Sequence, residues 1–245
     1  MLYGKSKMKF GYFFVLSLLF VGGFIFLNVV GCSDKVVAEK ANDVGTAVLR
    51  FSLELDPEVY SRSRYKKPPQ FAVWLEDKSH GIVRTVWVTE KTGSCEWGGN
   101  IVRPVSLPYW VGRWNLETQS KGDPAPGNSV IDAVTGATPK VTFIAEAVVP
   151  GGSVWDYFIE INVSGDFNDA FAAKHDNGDK DRHGNGQPSL IYQGKITALD
   201  GRKDSPELVG RTEQLQSVKN IISDLQGITT AKEVLLGFQV LCEKQ

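Results

Sequence analysis

Apolar side chains recur at every second position through several separate runs of this chain, and that period commits those runs to β-strands. Leu49, Phe51, Leu53 and Leu55 alternate with Arg50, Ser52 and Glu54. Successive side chains on a strand point to opposite faces, so this run has one face for a core and one for water. Phe71 to Glu76 and Ile82 to Val88 predict a hairpin around Asp77-Lys78-Ser79-His80-Gly81. Val141, Phe143, Ala145, Ala147 and Val149 share one face of another strand, punctuated by Pro150-Gly151-Gly152. Trp155, Tyr157, Ile159, Ile161 and Val163 then face one way, with Asp156, Glu160 and Asn162 among those facing the other. Leu190 to Thr197 and Val234 to Cys242 are further strand candidates. Short strands joined by Gly, Pro and Asp turns predict an all-β antiparallel sandwich.

Two stretches break the period. Leu107 to Leu116 places Trp110 and Trp114 at i, i+4 and predicts a helical turn under the sandwich. Residues 206–226 hold Leu208, Leu215, Val218, Ile221, Ile222 and Leu225, mostly at helical spacing, with Gly227 as a stop. They predict a short C-terminal helix.

The first residues read as an address rather than as part of the fold. Lys5, Lys7 and Lys9 precede an uncharged apolar run from Phe10 to Gly31, and Val29-Val30-Gly31 leads into Cys32. This order resembles a bacterial lipoprotein signal with its lipobox, in which the Cys becomes a lipidated N-terminus. The chemistry requires small residues before the cut and a thiol to carry the lipid. An uncleaved anchor is the alternative, because 22 apolar residues are long enough to span a bilayer. Either reading puts the rest of the chain outside the cytoplasm, in the bacterial cell envelope. The expected organisation is a signal peptide over 1–31, a polar tether over 32–44 and one β-sandwich domain over 45–245.

Loss of residues 1–31 removes three lysines, leaving 24 basic against 28 acidic residues. Nothing in that balance favours nucleic acid or anionic lipid as a partner. Beyond Cys32, the cysteines are Cys95 and Cys242. An oxidising envelope would allow these two to pair, and two separate buried thiols are the other reading. No P-loop, strand-borne GxGxxG, HExxH, Ser/His/Asp or paired-acid constellation is present, so no conventional catalytic residues are assigned. Asp179, Asp181 and His183-Gly184 echo the start of a calcium loop. However, the twelfth position is Leu190 and His183 is a poor calcium ligand, so no metal site is assigned.

The sharpest local signal is Asp132-Ala133-Val134-Thr135-Gly136-Ala137-Thr138. It resembles the D-x-x-[ST]-G-A-T flavinylation motif of FMN-carrying subunits of sodium-pumping NADH:quinone reductases and of Rnf complexes. The resemblance implies covalent FMN on the hydroxyl of Thr138, with Thr135 as a second-ranked acceptor. It also implies recognition of Asp132, Thr135, Gly136 and Ala137 by an extracytoplasmic flavin transferase. The acceptor must be a hydroxyl, and small neighbours let a second enzyme close around it. The competing reading is a structural turn capped by Asp132 and made by Thr135-Gly136 ahead of the next strand.

A wider resemblance covers roughly residues 45–200. FAVWLEDKSHGIVRTVWV, a Trp-rich stretch, DAVTGAT, WDYFIEINVSGDFN and GQPSLIY, in that order, look like domain-of-unknown-function family 2271 (DUF2271). Members are predicted periplasmic proteins with an Ig-like sandwich. The resemblance implies an Ig-like fold and, through redox neighbours of some members, electron relay to a membrane redox protein. The chain departs from the family's pattern after DAVTGAT, where Pro139-Lys140 runs straight into VTFIAEAVV. A flavin-free binding or structural module of the envelope is the alternative function.

Overall fold

The computed structural model describes residues 45–94, 97, 103, 106–122, 124, 135–216 and 219–244. The signal, Cys32 and tether all lie outside them, as do Cys95 and Asp132. No helix among the described residues is long and apolar enough to cross a membrane.

Among the described residues, ten strands form two sheets. The first sheet holds β5 (Thr142–Pro150), β1 (Thr46–Leu55), β10 (Leu235–Lys244) and β8 (Lys203–Asp204), in that order. The second runs β4 (Thr135–Gly136), β3 (Ile82–Thr89), β2 (Gln70–Asp77), β6 (Val154–Asn162), β7 (Leu190–Thr197) and β9 (Glu207–Arg211). Every pairing is antiparallel except that of β4, whose two residues lie parallel to Val88 and Thr89. Strand β1 pairs with β5, and β2 pairs with β6, although each pair is far apart in sequence. That Greek-key core is Ig-like: β1, β2, β3, β5, β6 and β7 occupy the places of strands B, C, C′, E, F and G. Strand β10 takes the place beside β1 that an N-terminal strand fills in immunoglobulins.

The period-two runs place the core where their alternation says. Leu49, Phe51, Leu53 and Leu55 of β1 meet Phe71, Val73 and Leu75 of β2 and Tyr157, Ile159 and Ile161 of β6 between the sheets. Burial of each such side chain contributes on the order of 1.5–3 kcal/mol. Phe51 and Tyr157 pack edge to face, 6.1 Å between centroids. Cys242 on β10 is a free thiol fully buried in this core.

The second sheet is covered on its outer face as well. Ala72, Trp74, Val88, Phe158 and Ile191 lie against the helix α3 (Pro108–Thr118), through Tyr109, Trp110, Val111 and Trp114. The expected helical turn at 107–116 is therefore the cover of that face. Two shorter helices, α1 (Pro57–Arg62) and α2 (Glu90–Ser94), follow β1 and β3.

The expected C-terminal helix over 206–226 is corrected. Its first part is strand β9, paired with β7, and Arg211 and Ile222 then exchange backbone hydrogen bonds of 2.9 and 2.8 Å. The apolar residues of this stretch serve two different layers: Leu208 and Leu225 pack on the inter-sheet core, Val209 and Ile221 on the outer cluster. A helix would gather them on one face. Gly210 also lies so close to Ile222 that a Cβ would come 2.5 Å from its carbonyl oxygen, which suits paired strands.

Candidate functional site

The DAVTGAT segment reaches the sandwich at the edge of β3. Thr135 and Gly136 form β4, in register with Val88 and Thr89. Gly136 lies over the indole of Trp87. A Cβ on Gly136 would sit 2.2 Å from Trp87 Cη2, so the position excludes any side chain. Ala137 is exposed, Thr138 is half-buried and Lys140 is exposed. The Tyr60 hydroxyl holds the Lys140 carbonyl at 2.9 Å, fixing the approach to β5. Thr138 therefore lies just before β5 and is half-buried.

Its hydroxyl belongs to an uncharged cluster. Gln70 Nε2 donates to Thr138 Oγ1 at 3.4 Å, the longest bond of the group. Gln70 Oε1 accepts from Thr89 Oγ1 at 2.8 Å and from Thr92 Oγ1 at 3.1 Å. Thr89 Oγ1 also accepts from the Phe71 backbone N–H at 3.3 Å. Beside it, Trp87 packs on Phe143 at 4.7 Å, Phe143 packs on Phe71 at 5.3 Å, and the buried Trp87 Nε1 has no hydrogen-bond partner. Thr138 is hydrogen-bonded to the Gln70 amide, which in turn accepts from two hydroxyls. Among the described residues none beside it is a base able to take its proton, so these groups hold a hydroxyl in place without activating it.

The structure thus brings together Thr135, Gly136, Ala137 and Thr138, and adds Gln70, Trp87, Thr89 and Thr92 from β2, β3 and α2. Asp132 lies outside the described residues, as do Cys32 and Cys95. Cys242 carries a free thiol. Gln70 had no signal in the sequence, because only the strand pairing places it beside position 138. The donor set around Thr138 fits an ester at its Oγ. Esterification removes the hydroxyl proton and leaves the oxygen able to accept from Gln70, and the open approach is past the exposed Ala137, since the Trp87 indole fills the space over Gly136.

A second polar region lies under α3. Glu160, read from the sequence as facing away from the core, is fully buried there. Leu107 at the start of α3 supplies no side-chain cap. Glu160 fills that role from β6, accepting the Trp110 N–H at 2.6 Å and the Tyr109 N–H at 3.3 Å. Ser189 Oγ, 2.5 Å from Glu160 Oε1, is in turn 2.6 Å from Thr212 Oγ1. Burial pushes the Glu160 carboxyl up to about 7, against the opposing pull of these three hydrogen bonds. Nearby, Glu76 accepts from Trp74 Nε1 at 2.9 Å and pairs with Arg113 at 3.2 Å, while Asp156 pairs with Lys78 at 2.8 Å and Lys195 at 3.4 Å. These acids are neutralised in place, which makes them cover for the sheet rather than a free acid-base pair.

Among the described residues, no group of three or more His, Cys, Asp or Glu is placed to hold a metal ion. In the loop that echoes calcium ligation, the two carboxylate oxygens of Asp181 accept the backbone N–H groups of His183 and Gly186. No protein-family model matches the chain, and neither a curated protein nor a solved structure matches it.

Proposed function

We propose that this is a lipid-anchored envelope protein. Its sandwich presents Thr138 for covalent attachment of FMN, and it relays electrons to a membrane redox partner. The observation that carries the reading is the state of the Thr138 hydroxyl. It is held by Gln70, follows Gly136 and Ala137, and has no base beside it among the described residues. Such a hydroxyl suits modification by a separate enzyme and is unsuited to catalysis by this chain. The likeness of DAVTGAT to the flavinylation motif, and of residues 45–200 to DUF2271, points the same way. In the attachment, Thr138 gives up its O–H bond for an ester bond to the FMN phosphate. The flavin transferase brings FMN as its anhydride with a nucleotide: the P–O bond of that anhydride breaks as the ester forms, the nucleoside monophosphate leaves, and the transferase takes the Thr138 proton. Once attached, FMN supplies electron transfer, and the protein supplies tethering and orientation. Cys32 is the lipid attachment that keeps the domain at the membrane.

One observation favours the second reading, a flavin-free binding or structural module. Gly136 and Thr138 already have structural work, against Trp87 and Gln70. A turn that must fit there would use similar residues without any flavin. Co-expression with an extracytoplasmic flavin transferase separates the two. The first reading predicts flavin fluorescence that survives denaturing electrophoresis, is lost in Thr138→Ala and persists in Thr135→Ala. Wild-type protein that stays unlabelled beside a transferase active on its own substrate leaves the second reading standing.

A further inference from the structure

Two segments outside the Thr138 site meet beside α3. Arg103 and Ser106 lie just before that helix, and Gly184 to Gln187 lie just before β7. Arg103 Nη2 donates to the Gly184 carbonyl at 3.0 Å, and the Ser106 N–H donates to the Arg103 carbonyl at 3.2 Å. The next residue, Asn185, has 0% of its surface exposed, and among the described residues neither Oδ1 nor Nδ2 has a hydrogen-bond partner. Ser106 is also 0% exposed, and its Oγ and the buried Arg103 Nε are unpartnered among the described residues. Buried polar side chains are nearly always satisfied, and leaving one unsatisfied is destabilising. Four such atoms on three residues of two joined segments call for a common explanation.

The charge of Arg103 narrows it. Burial pulls this guanidinium below its ordinary pKa. One face lies over the Trp97 ring at 4.5 Å. Among the described residues it has no carboxylate within ion-pair distance. Asp181, the acid whose field reaches it, has both oxygens engaged by backbone N–H groups. Buried cations are ordinarily paired, and a guanidinium is shaped to take the oxygens of a carboxylate or phosphate.

The backbone holds Asn185 in place. Gly184 and Gly186 on either side have φ of +66° and +76°. A Cβ at Gly186 would lie 2.5 Å from the Asp166 backbone nitrogen. The Asn185 carbonyl accepts from Gly165 N–H and from Asn162 Nδ2. Its side chain is therefore set by a fixed frame.

We infer that Arg103, Ser106 and Asn185 form a binding site for a small oxyanion. Arg103 Nε–H, Ser106 O–H and Asn185 Nδ2–H are donors for its oxygens, and Asn185 Oδ1 is an acceptor for a hydroxyl on the same ligand. Hydrogen phosphate carries both kinds of group, whereas acetate carries only the first. The site is separate from Thr138 and does not depend on flavin attachment.

The test is a titration of the full chain in detergent at pH 7 and constant ionic strength. The probes are inorganic phosphate and acetate, with chloride as the reference. Tryptophan fluorescence reads the Trp97–Arg103 contact, and the unfolding temperature reads stabilisation. The expected result is a saturable response to phosphate at millimolar concentration or below, with acetate weaker. Arg103→Gln weakens phosphate at least tenfold, and Ser106→Ala, which leaves the guanidinium in place, at least threefold. The inference is overturned if cooperatively folded wild type shows no saturable response to either anion. It is equally overturned if folded Ser106→Ala or Arg103→Gln binds phosphate as wild type does.

Discussion

Glu160 makes the stability of this domain depend on pH in the direction opposite to that of most carboxylates. The carboxyl is fully buried, and burial raises it from 4.5 to about 7. A group whose folded pKa is raised holds its proton longer in the folded state than in the unfolded one. Its contribution is complete below the unfolded value of about 4.5 and is lost as pH rises through about 7. At about 1.4 kcal/mol per tenfold in proton affinity, the loss across that window is about 3 kcal/mol. The neutral acid has a place for its proton: Oε1–H can donate to Ser189 Oγ, and the Ser189 hydroxyl can then donate to Thr212. Glu160→Gln mimics that state. Its amide replaces Oε1 as donor to Ser189, its carbonyl keeps the Trp110 N–H, and only the 3.3 Å bond from Tyr109 is lost. Urea unfolding of both proteins from pH 4.5 to 8 measures the effect as a difference, so that other titrating groups cancel. Wild type should lose about 3 kcal/mol relative to Glu160→Gln across the range. Parallel curves would refute the reasoning. So would wild type gaining on the variant as pH rises, because that would mean the α3 N-terminus outweighs burial.

Three shorter predictions follow from the packing and the sequence. Gly136→Ala forces a methyl into the Trp87 indole, and such overpacking costs about 1–3 kcal/mol. At about 2–4 °C per kcal/mol for a domain of this size, the melting temperature should fall measurably, and an unchanged value would show that β4 does not pack as described. The Cys242 thiol, fully buried on β10, should resist alkylation in native protein and react once unfolded; rapid native labelling would contradict its burial. Intact-mass analysis of membrane-fraction protein should show loss of residues 1–31 and acyl mass at Cys32, and a full-length N-terminus would count against the lipoprotein reading.

Most of the sandwich was legible because period-two alternation is local. Leu49 to Leu55 and Trp155 to Val163 each show a core face without reference to anything else, whereas Phe71 to Leu75 is a continuous apolar run that the fold buries on both faces. The outer cover was only half legible. Trp110 and Trp114 suggest a helix, but the charges on the facing strand disguise it. Asp156 and Glu160 read as facing away from the core until α3 and two lysines are placed over them. Residues 206–226 misled for the opposite reason, since their apolar spacing mimics a helix while the residues serve two separate layers. The Thr138 segment stood out by its motif, yet its partner Gln70 is 68 residues away and becomes a neighbour only through strand pairing. Asn185 and Arg103 gave no sequence signal, because what distinguishes them is buried polar atoms left without partners among the described residues.

The most direct test of the account is peptide mapping of protein co-expressed with a flavin transferase. Trypsin releases one peptide, Gly122 to Lys140, that contains both Thr135 and Thr138. The account predicts this peptide with the added mass of FMN less one water, and fragment ions that place the addition on Thr138. An unmodified peptide from protein exposed to an active transferase, or an addition on any residue other than Thr138, would contradict it.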